Sequence, residues 1–208
     1  MRTGRDGGRV SRLARWMGGL FCGVGLHLLL AASLQAQSFV RIETSAGPIV
    51  AEIYVDAAPV TAANFLDYVD DEVFDGGSFF RSVRLDNQPR DSVRIEVIQG
   101  GSSPELRERL RSPIPLERTS VTGLRHLDGT LSMARSGPDT GRSQFFVCIG
   151  DQPSLDFGGN RNLDGQGFAA FGRVVEGMDV VRAIQAGATD GQNLVERVTI
   201  ESIRRVER

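Results

Sequence analysis

Residues 131–147, LSMARSGPDTGRSQFFV, decide the fold of this 208-residue chain. Apolar runs near both ends of this stretch predict two strands, over residues 129–134 and 143–148. Hydrogen-bonding side chains that are uncharged or permanently charged lie among the apolar ones, namely Ser132, Arg135 and Gln144. Two other segments share this character: residues 79–81, FFR, and residues 97–101, VIQGG. All three segments therefore combine apolar surface with fixed hydrogen-bond donors.

The rest of the chain predicts many short strands and few helices. Further strands are predicted at residues 38–44, 49–55, 79–83, 97–98, 168–175 and 195–203. Apolar residues at helical spacing predict helices at residues 58–69 and after Gly177, and residues 104–111 suggest a short polar helix. The polar stretch at residues 84–94 predicts an exposed loop. This pattern favours a closed β-barrel or a sandwich over a doubly wound sheet.

The first 36 residues have the pattern of a secretory signal peptide. Five arginines precede an apolar run over residues 17–32, and small or polar residues follow as far as Ala36. We therefore predict cleavage after Ala36, a domain of residues 37–208, and a periplasmic or secreted location. The alternative is an uncleaved membrane anchor, although the run is shorter than the ~20 residues of a spanning helix. After cleavage, no stable membrane insertion is expected.

Composition narrows the chemistry of the predicted domain. Removing the five arginines and one aspartate of residues 1–36 from the chain's 24 basic and 26 acidic residues leaves a net charge of about −6, which argues against nucleic acid as a partner. One histidine, His126, and one cysteine, Cys148, remain, so we expect no intrachain disulfide and no His/Cys metal site. A Ser-His-Asp hydrolase would have to use His126, and the sequence contains no Gly-x-Ser-x-Gly motif.

These segments resemble the core signature of the cyclophilin family. Residues 131–138 and 143–147 are similar to the family's Leu-Ser-Met-Ala-(Asn/Arg), Gly-Pro and Ser-Gln-Phe-Phe. Residues 79–82 are similar to its Phe-His-Arg-Val, and residues 99–101 to its Gln-Gly-Gly. Further agreement follows the same order along the chain, at residues 58–65, 155–156, 171–174 and 177–181. The likeness covers nearly all of residues 38–204, which makes it far more specific than one short motif.

The resemblance implies a mainly β fold, a closed eight-stranded antiparallel barrel capped by two α-helices, with peptidyl-prolyl cis-trans isomerase activity and no metal or organic cofactor. By position, it implies that Arg81 and Gln99 are catalytic. The implied substrate-binding residues are Phe80, Val97, Ala134, Arg135, Gln144, Phe146, Leu155 and Phe168. Among them, Val97, Phe146 and Leu155 would form the proline pocket, and the backbone of Arg135 would hold the residue before proline. The expected partners are proline-containing polypeptides, and the expected state is a monomer.

The guanidinium of Arg81 suits this chemistry. Uncatalysed rotation about an X-Pro bond takes tens to hundreds of seconds, because the nitrogen donates its lone pair into the carbonyl. In the twisted transition state the nitrogen recovers this pair, so a donor aimed at it binds the transition state better than the ground state. Shortening ~100 s to ~1 ms requires roughly 7 kcal/mol. One charged hydrogen bond contributes about 1.5–3 kcal/mol, so the apolar pocket must contribute as well.

The sequence departs from the family pattern in the groove. Residues 84–96 stand where the family has a short Pro-Gly-Phe connection, so either Glu96 or Ile95 takes the place of a pocket phenylalanine. Ser154 aligns with a groove tryptophan, and we therefore expect weak cyclosporin binding. Phe168 aligns with a groove histidine. Residues 102–115 replace a glycine-rich loop, and their charged run predicts a solvated helix.

Two functional interpretations remain open from the sequence. The first is an active prolyl isomerase that assists the folding of exported proteins. The second is a non-catalytic cyclophilin-fold module that binds peptides or acts as a chaperone, which the insertion at residues 84–96 and the missing tryptophan favour modestly. Taken singly, Arg81 could equally pair with a surface acid, and Val97 and Phe146 could belong to an ordinary core.

Overall fold

The computed structural model describes residues 38–88 and 92–207, and β-strands dominate this part of the chain. The described strands are β1 Ser38–Thr44, β2 Ile49–Ile53, β3 Gly77–Val83, β4 Val97–Gly101, β5 Thr130–Met133, β6 Gln144–Cys148, β7 Ala169–Glu176, β8 Thr189–Asp190 and β9 Asn193–Val206. The described helices are α1 Pro59–Asp70, α2 Thr119–Thr122 and α3 Met178–Gln185, with 3₁₀ segments at Pro104–Arg109 and Pro153–Leu155. The predicted signal peptide, residues 1–36, lies outside the described residues.

The strands form one antiparallel sheet that closes on itself. Their order is β1-β2-β7-β5-β6-β4-β3-β9, and β1 also pairs with β9. These eight strands therefore form a closed barrel, which has no open edge for another chain to pair with. β8 is an additional two-residue strand that pairs with β9. The predicted eight-stranded antiparallel barrel is confirmed.

The main hydrophobic core lies between the inward faces of the strands and the two longer helices. Phe65 of α1 is fully buried, and its ring lies 5.0–5.4 Å from the rings of Phe74, Phe145 and Phe171. Val181 and Ile184 of α3 belong to the same core. α1 and α3 thus cap the barrel, as predicted.

α1 begins at a proline and has a distant cap. Pro59 occupies the first turn, where a backbone N–H would have no partner within the helix, so its absence loses no hydrogen bond. The next two backbone N–H groups, of Val60 and Thr61, donate to the carboxylate of Glu117 at 3.1 and 2.7 Å. A negative charge at this position satisfies free N–H groups and complements the helix dipole.

The structure corrects several predicted boundaries. β2 ends at Ile53 rather than at residue 55, because the N–H of Val55 turns back to donate to the carbonyl of Ile53 at 3.1 Å. Residues 104–109 form 3₁₀ turns rather than a regular α-helix, with a break at Leu106. α2 and β8 were not predicted, since each is too short to show a periodic pattern. None of the described helices has the length and apolarity to cross a membrane.

Candidate active site

A β-bulge in β3 turns Arg81 out of the barrel. Phe79 pairs with Gly100 of β4 and Arg81 pairs with Gln99, so Phe80 is an extra residue in the ladder. Side chains alternate along a regular strand, and without the extra residue Phe79 and Arg81 would face the same side. With it, Phe79 is fully buried in the core, while Arg81 faces an outer cavity together with Gln99.

Two glutamines hold the guanidinium of Arg81. Its Nη1 group donates to Gln99 Oε1 at 2.8 Å, and its Nε and Nη2 groups donate to Gln192 Oε1 at 3.1 and 2.5 Å. Gln99 in turn donates to Gln144 Oε1 at 3.0 Å. The two predicted catalytic side chains are therefore in direct contact. Gln192 was not predicted, because it lies 111 residues from Arg81 in the sequence and no local motif marks it.

An open cavity of about 450 Å³ adjoins Arg81 on the outside of the barrel. The predicted site residues that line it are Arg81, Val97, Gln99, Ala134, Arg135, Gln144, Phe146, Leu155 and Phe168. Phe80 is the exception, because this half-buried bulge residue does not belong to the lining. The structure thus brings all but one of the predicted residues together at the cavity. Phe80 does not face the cavity; as the extra residue of the bulge, it changes the direction in which Arg81 points.

The apolar part of the cavity belongs to a second hydrophobic cluster, separate from the main core. We call it the outer cluster; it consists of Val83, Ile95, Val97, Phe146, Cys148 and Leu155, with Ala134 and Phe168 packed against it. Side-chain alternation explains the separation, since Phe145 and Val147 of β6 face the core while Phe146 between them faces outward. The rings of Phe146 and Phe168 meet edge to face with centroids 5.2 Å apart. An apolar hollow therefore adjoins the predicted catalytic arginine.

The insertion at residues 84–96 contributes Ile95, not Glu96, to the outer cluster. Gln88 is 1% exposed, and its Nε2 donates to the carbonyls of Arg84 and Ile95, both at 2.7 Å. Its Oε1 accepts the N–H of Ile95 at 3.2 Å. These bonds join the two ends of the insertion, while the Glu96 carboxylate accepts a hydrogen bond from α3. The alternative that the sequence left open is decided in favour of Ile95.

Arg135 ties a loop to the cavity wall. Its Nε donates to the carbonyl of Gly167 at 2.7 Å, and its two terminal nitrogens donate to the two Asp164 oxygens at 2.7 and 2.9 Å. Its guanidinium carbon also lies 5.1 Å from the ring centre of Phe168. Bidentate pairing of this kind is strong and directional. The hydrogen bonds from Arg135 lower the pKa of the Asp164 carboxyl to about 2.

His126 lies in a buried chain behind Phe146. Its ring nitrogens contact Asp156 Oδ1 at 2.7 Å and Ser132 Oγ at 2.9 Å, and its ring stacks on that of Phe146. Burial raises the pKa of Asp156, but hydrogen bonds from His126 outweigh it and leave this pKa below its ordinary value. Ser132 is completely buried, so this Ser-His-Asp arrangement offers no nucleophile to a substrate. It supports Phe146 from behind instead.

Further residues line the cavity that were not predicted. They are Leu110, Ser136, Thr140, Arg142, Ser143, Arg161 and Asn162. Ser136, Thr140 and Arg142 lie inside the stretch quoted first, so their closeness to Gln144 in the sequence could have indicated them. Leu110 comes from a distant loop with no such signal. Among residues 38–88 and 92–207, no group of three or more His, Cys, Asp or Glu side chains is placed to hold a metal ion.

Comparison with known proteins agrees with this geometry. The family model described as cyclophilin type peptidyl-prolyl cis-trans isomerase/CLD matches residues 39–205. The chain belongs to the cyclophilin family. Because this match spans every strand of the barrel and every residue placed in the cavity, the family assignment covers both the fold and the site.

Relatives of this cyclophilin carry the same activity in their names. A peptidyl-prolyl cis-trans isomerase of Acinetobacter baylyi is 32% identical over 178 residues, which is 85% of this chain and 87% of the relative. Peptidyl-prolyl cis-trans isomerase B of Escherichia coli is 32% identical over 79% of this chain and 94% of its own length. The crystal structure of a cyclophilin-type isomerase from Cryptosporidium parvum superposes with a TM-score of 0.65 at 21% identity, covering 83% of this chain and 99% of that one, and supports the fold.

Family membership and these relatives show that this cyclophilin is a peptidyl-prolyl cis-trans isomerase whose substrates are proline-containing peptides. The insertion at residues 84–96 had favoured a non-catalytic module, but its described part supplies Ile95 to the outer cluster, beside an open cavity. Ser154, which aligns with the groove tryptophan of many cyclophilins, does not line the cavity. Weak cyclosporin binding stays a prediction.

Proposed function

We propose that Arg81 catalyses the rotation and that the outer cluster binds the proline ring. The observation that carries this proposal is the position of the guanidinium, which Gln99 and Gln192 hold beside the apolar part of an open cavity. Val97, Phe146 and other members of the outer cluster line the same cavity. A positive charge of fixed orientation therefore stands beside a surface on which a proline ring can pack.

The mechanism follows from this arrangement. The apolar surface retains the proline ring while the flanking chain rotates, so the substrate nitrogen stays next to Arg81. As the imide twists, its nitrogen regains a lone pair that can accept a hydrogen bond from the guanidinium. Since Gln99 and Gln192 already orient the donor, little reorganisation is needed at the moment of reaction. The guanidinium therefore binds the twisted imide more strongly than the planar one, and this difference in binding free energy lowers the barrier.

Replacement of Arg81 tests the proposal. We expect Arg81→Ala to lower kcat/KM about tenfold to a hundredfold, the equivalent of one charged hydrogen bond. Exchange of an X-Pro peptide, followed by NMR, measures the rate. Arg197→Ala is a matched control, because Arg197 is exposed on β9 and does not line the cavity. An Arg81→Ala enzyme as fast as the parent would refute the assigned role.

We further propose that this isomerase assists the folding of exported proteins in the periplasm or outside the cell, as a monomer, after removal of residues 1–36. The basic region, the apolar run and the small residues that end at Ala36 support export. The barrel is compatible with cleavage there, because β1 begins at Ser38, where it pairs with Ile53 of β2.

A further inference from the structure

Every charged side chain among the described residues that line the cavity beside Arg81 is positive. Four of the described residues that line it are arginines: Arg81, Arg135, Arg142 and Arg161. No described lining residue is an aspartate or a glutamate. The chain as a whole has a formal net charge of −2, so the positive charge is local to the cavity. A cleft lined by one sign of charge concentrates ligands of the opposite sign.

The four arginines are not equivalent. Arg135 is paired with both oxygens of Asp164, so its charge is offset. Arg81 is bonded to Gln99 and Gln192 and is the residue proposed to face the imide, and Arg161 donates to a backbone carbonyl of the insertion at 2.7 Å. Arg142 is exposed, and its side chain forms no ion pair within the part of the chain that the structure describes. Arg142 is therefore the cation best placed to meet a charged group of the substrate.

The backbone at Arg142 is held in place. The side-chain amide of Asn64, a buried residue of α1, donates to the carbonyl of Arg142 at 2.7 Å. The neighbouring Gly141 pairs with Ile114 in an isolated β-bridge. The side chain therefore projects from a fixed point on the rim of the cavity.

Arg142 lies a few residues along the groove from the outer cluster. It precedes Gln144 by two residues and Phe146 by four, so at about 3.4 Å per residue its Cα lies at most about 14 Å from that of Phe146. An extended peptide covers this distance in about four residues. Because the side chains of arginine and glutamate both reach across part of the gap, two or three residues of substrate are enough.

We propose that Arg142 gives this isomerase a preference for peptides that carry a carboxylate side chain two or three residues from the proline. Ser136, Thr140 and Ser143 line the cavity too, so the surroundings of Arg142 are polar. The preference rests on the proposed placement of the proline ring on the outer cluster. The ion pair forms in an open cavity, so its effect is modest and sensitive to salt.

Peptide pairs that differ only in one charge test this preference. Each pair carries Glu or Gln at the same position, either before or after the proline, and exchange is followed by NMR at low salt. We expect the Glu peptide of at least one pair to have a KM about two- to fivefold lower than its Gln counterpart. The difference should shrink in about 0.5 M NaCl, where charges are screened over a few ångströms.

Variants of Arg142 assign the effect to one side chain. In Arg142→Gln the KM ratio of the two peptides should fall to one, and in Arg142→Lys it should persist. Arg197→Gln, which removes an exposed arginine outside the cavity, should keep the parental ratio. Parental enzyme that exchanges Glu and Gln peptides with equal KM overturns the preference but leaves the isomerase assignment intact. Failure to exchange even the neutral peptides would instead contradict the placement of substrate in this cavity.

Discussion

Gln192 orients the proposed catalytic arginine from a distant part of the chain. It lies in the turn between β8 and β9, and its Oε1 accepts hydrogen bonds from two groups of the Arg81 guanidinium. Its own amide nitrogen donates to the carbonyl of Asn87 in the insertion at 3.5 Å. Gln192 does not line the cavity, so we infer that its effect on the proposed catalysis would pass through Arg81. It is a positioning residue.

Gln192→Ala should therefore impair the rate more than binding. We expect kcat to fall about tenfold, the equivalent of about 1.4 kcal/mol, with KM little changed, because the outer cluster is untouched. Steady-state kinetics on an X-Pro peptide separate the two constants. Asn193→Ala, a change at an exposed neighbour, should leave both as in the parent. A raised KM with an unchanged kcat would place Gln192 in substrate binding instead.

The segments around the groove are short loops that single side chains hold in position. Gln88 closes the insertion at residues 84–96 and thereby delivers Ile95 to the outer cluster. Arg135, next to β5, holds the loop that contains Asp164 and Gly167 against the cavity wall. Both side chains are bonded to backbone carbonyls of loop residues. The walls of the cavity thus depend on polar contacts, whereas its floor is the barrel itself.

The contact between Arg135 and Asp164 should depend on pH. Hydrogen bonds from Arg135 lower the pKa of Asp164 from 3.8 to about 2. Because this pKa is depressed in the folded state, the stabilisation is present above about pH 4 and is lost as the pH falls towards about 2. In Arg135→Gln we expect the pKa of Asp164, measured by NMR titration, to rise towards its ordinary value. Arg197→Gln should leave it near its parental value, and an unchanged pKa in Arg135→Gln would contradict the pairing.

Across the whole molecule, one set of strands builds both the core and the site. Phe145 and Val147 of β6 pack inside the barrel, and Phe146 between them faces the outer cavity. The side chains of β4 also face opposite sides of the sheet, with Ile98 in the core and Val97 in the outer cluster. Closure of the barrel through β1 and β9 holds both strands in register. The site therefore rests on a rigid platform, as precise positioning requires.

The proposed export concerns the whole chain. When the full-length protein is produced in a Gram-negative host, we expect a periplasmic product that begins at Gln37, as mass spectrometry of fractionated cells would show. Leu29→Arg, which breaks the apolar run, should keep the protein full-length in the cytoplasm. Full-length parental protein in the membrane fraction would support the uncleaved anchor instead.

The order of strands along the chain was predictable because it depends on local patterns. Alternation in β1 and the apolar runs of β5 and β6 are properties of neighbouring residues, and they predicted those strands to within one residue. The likeness of nearly all of residues 38–204 to a known family added the closed barrel and the predicted site residues, of which all but Phe80 line the cavity. Short elements such as α2 and β8 have no pattern of their own, so they were not predicted.

The sequence by itself predicted short strands arranged as a barrel or a sandwich, and its resemblance to the cyclophilin family implied the closed barrel, the catalytic residues Arg81 and Gln99, and a proline pocket that includes Phe146. Only the tertiary structure decided that Ile95 rather than Glu96 completes the pocket, that Gln192 orients Arg81, and that Phe80 is a bulge residue outside the cavity. The physical reason is the range of the interactions. Strand patterns arise between residues next to each other, whereas these contacts join loops and turns that barrel closure brings together from distant positions.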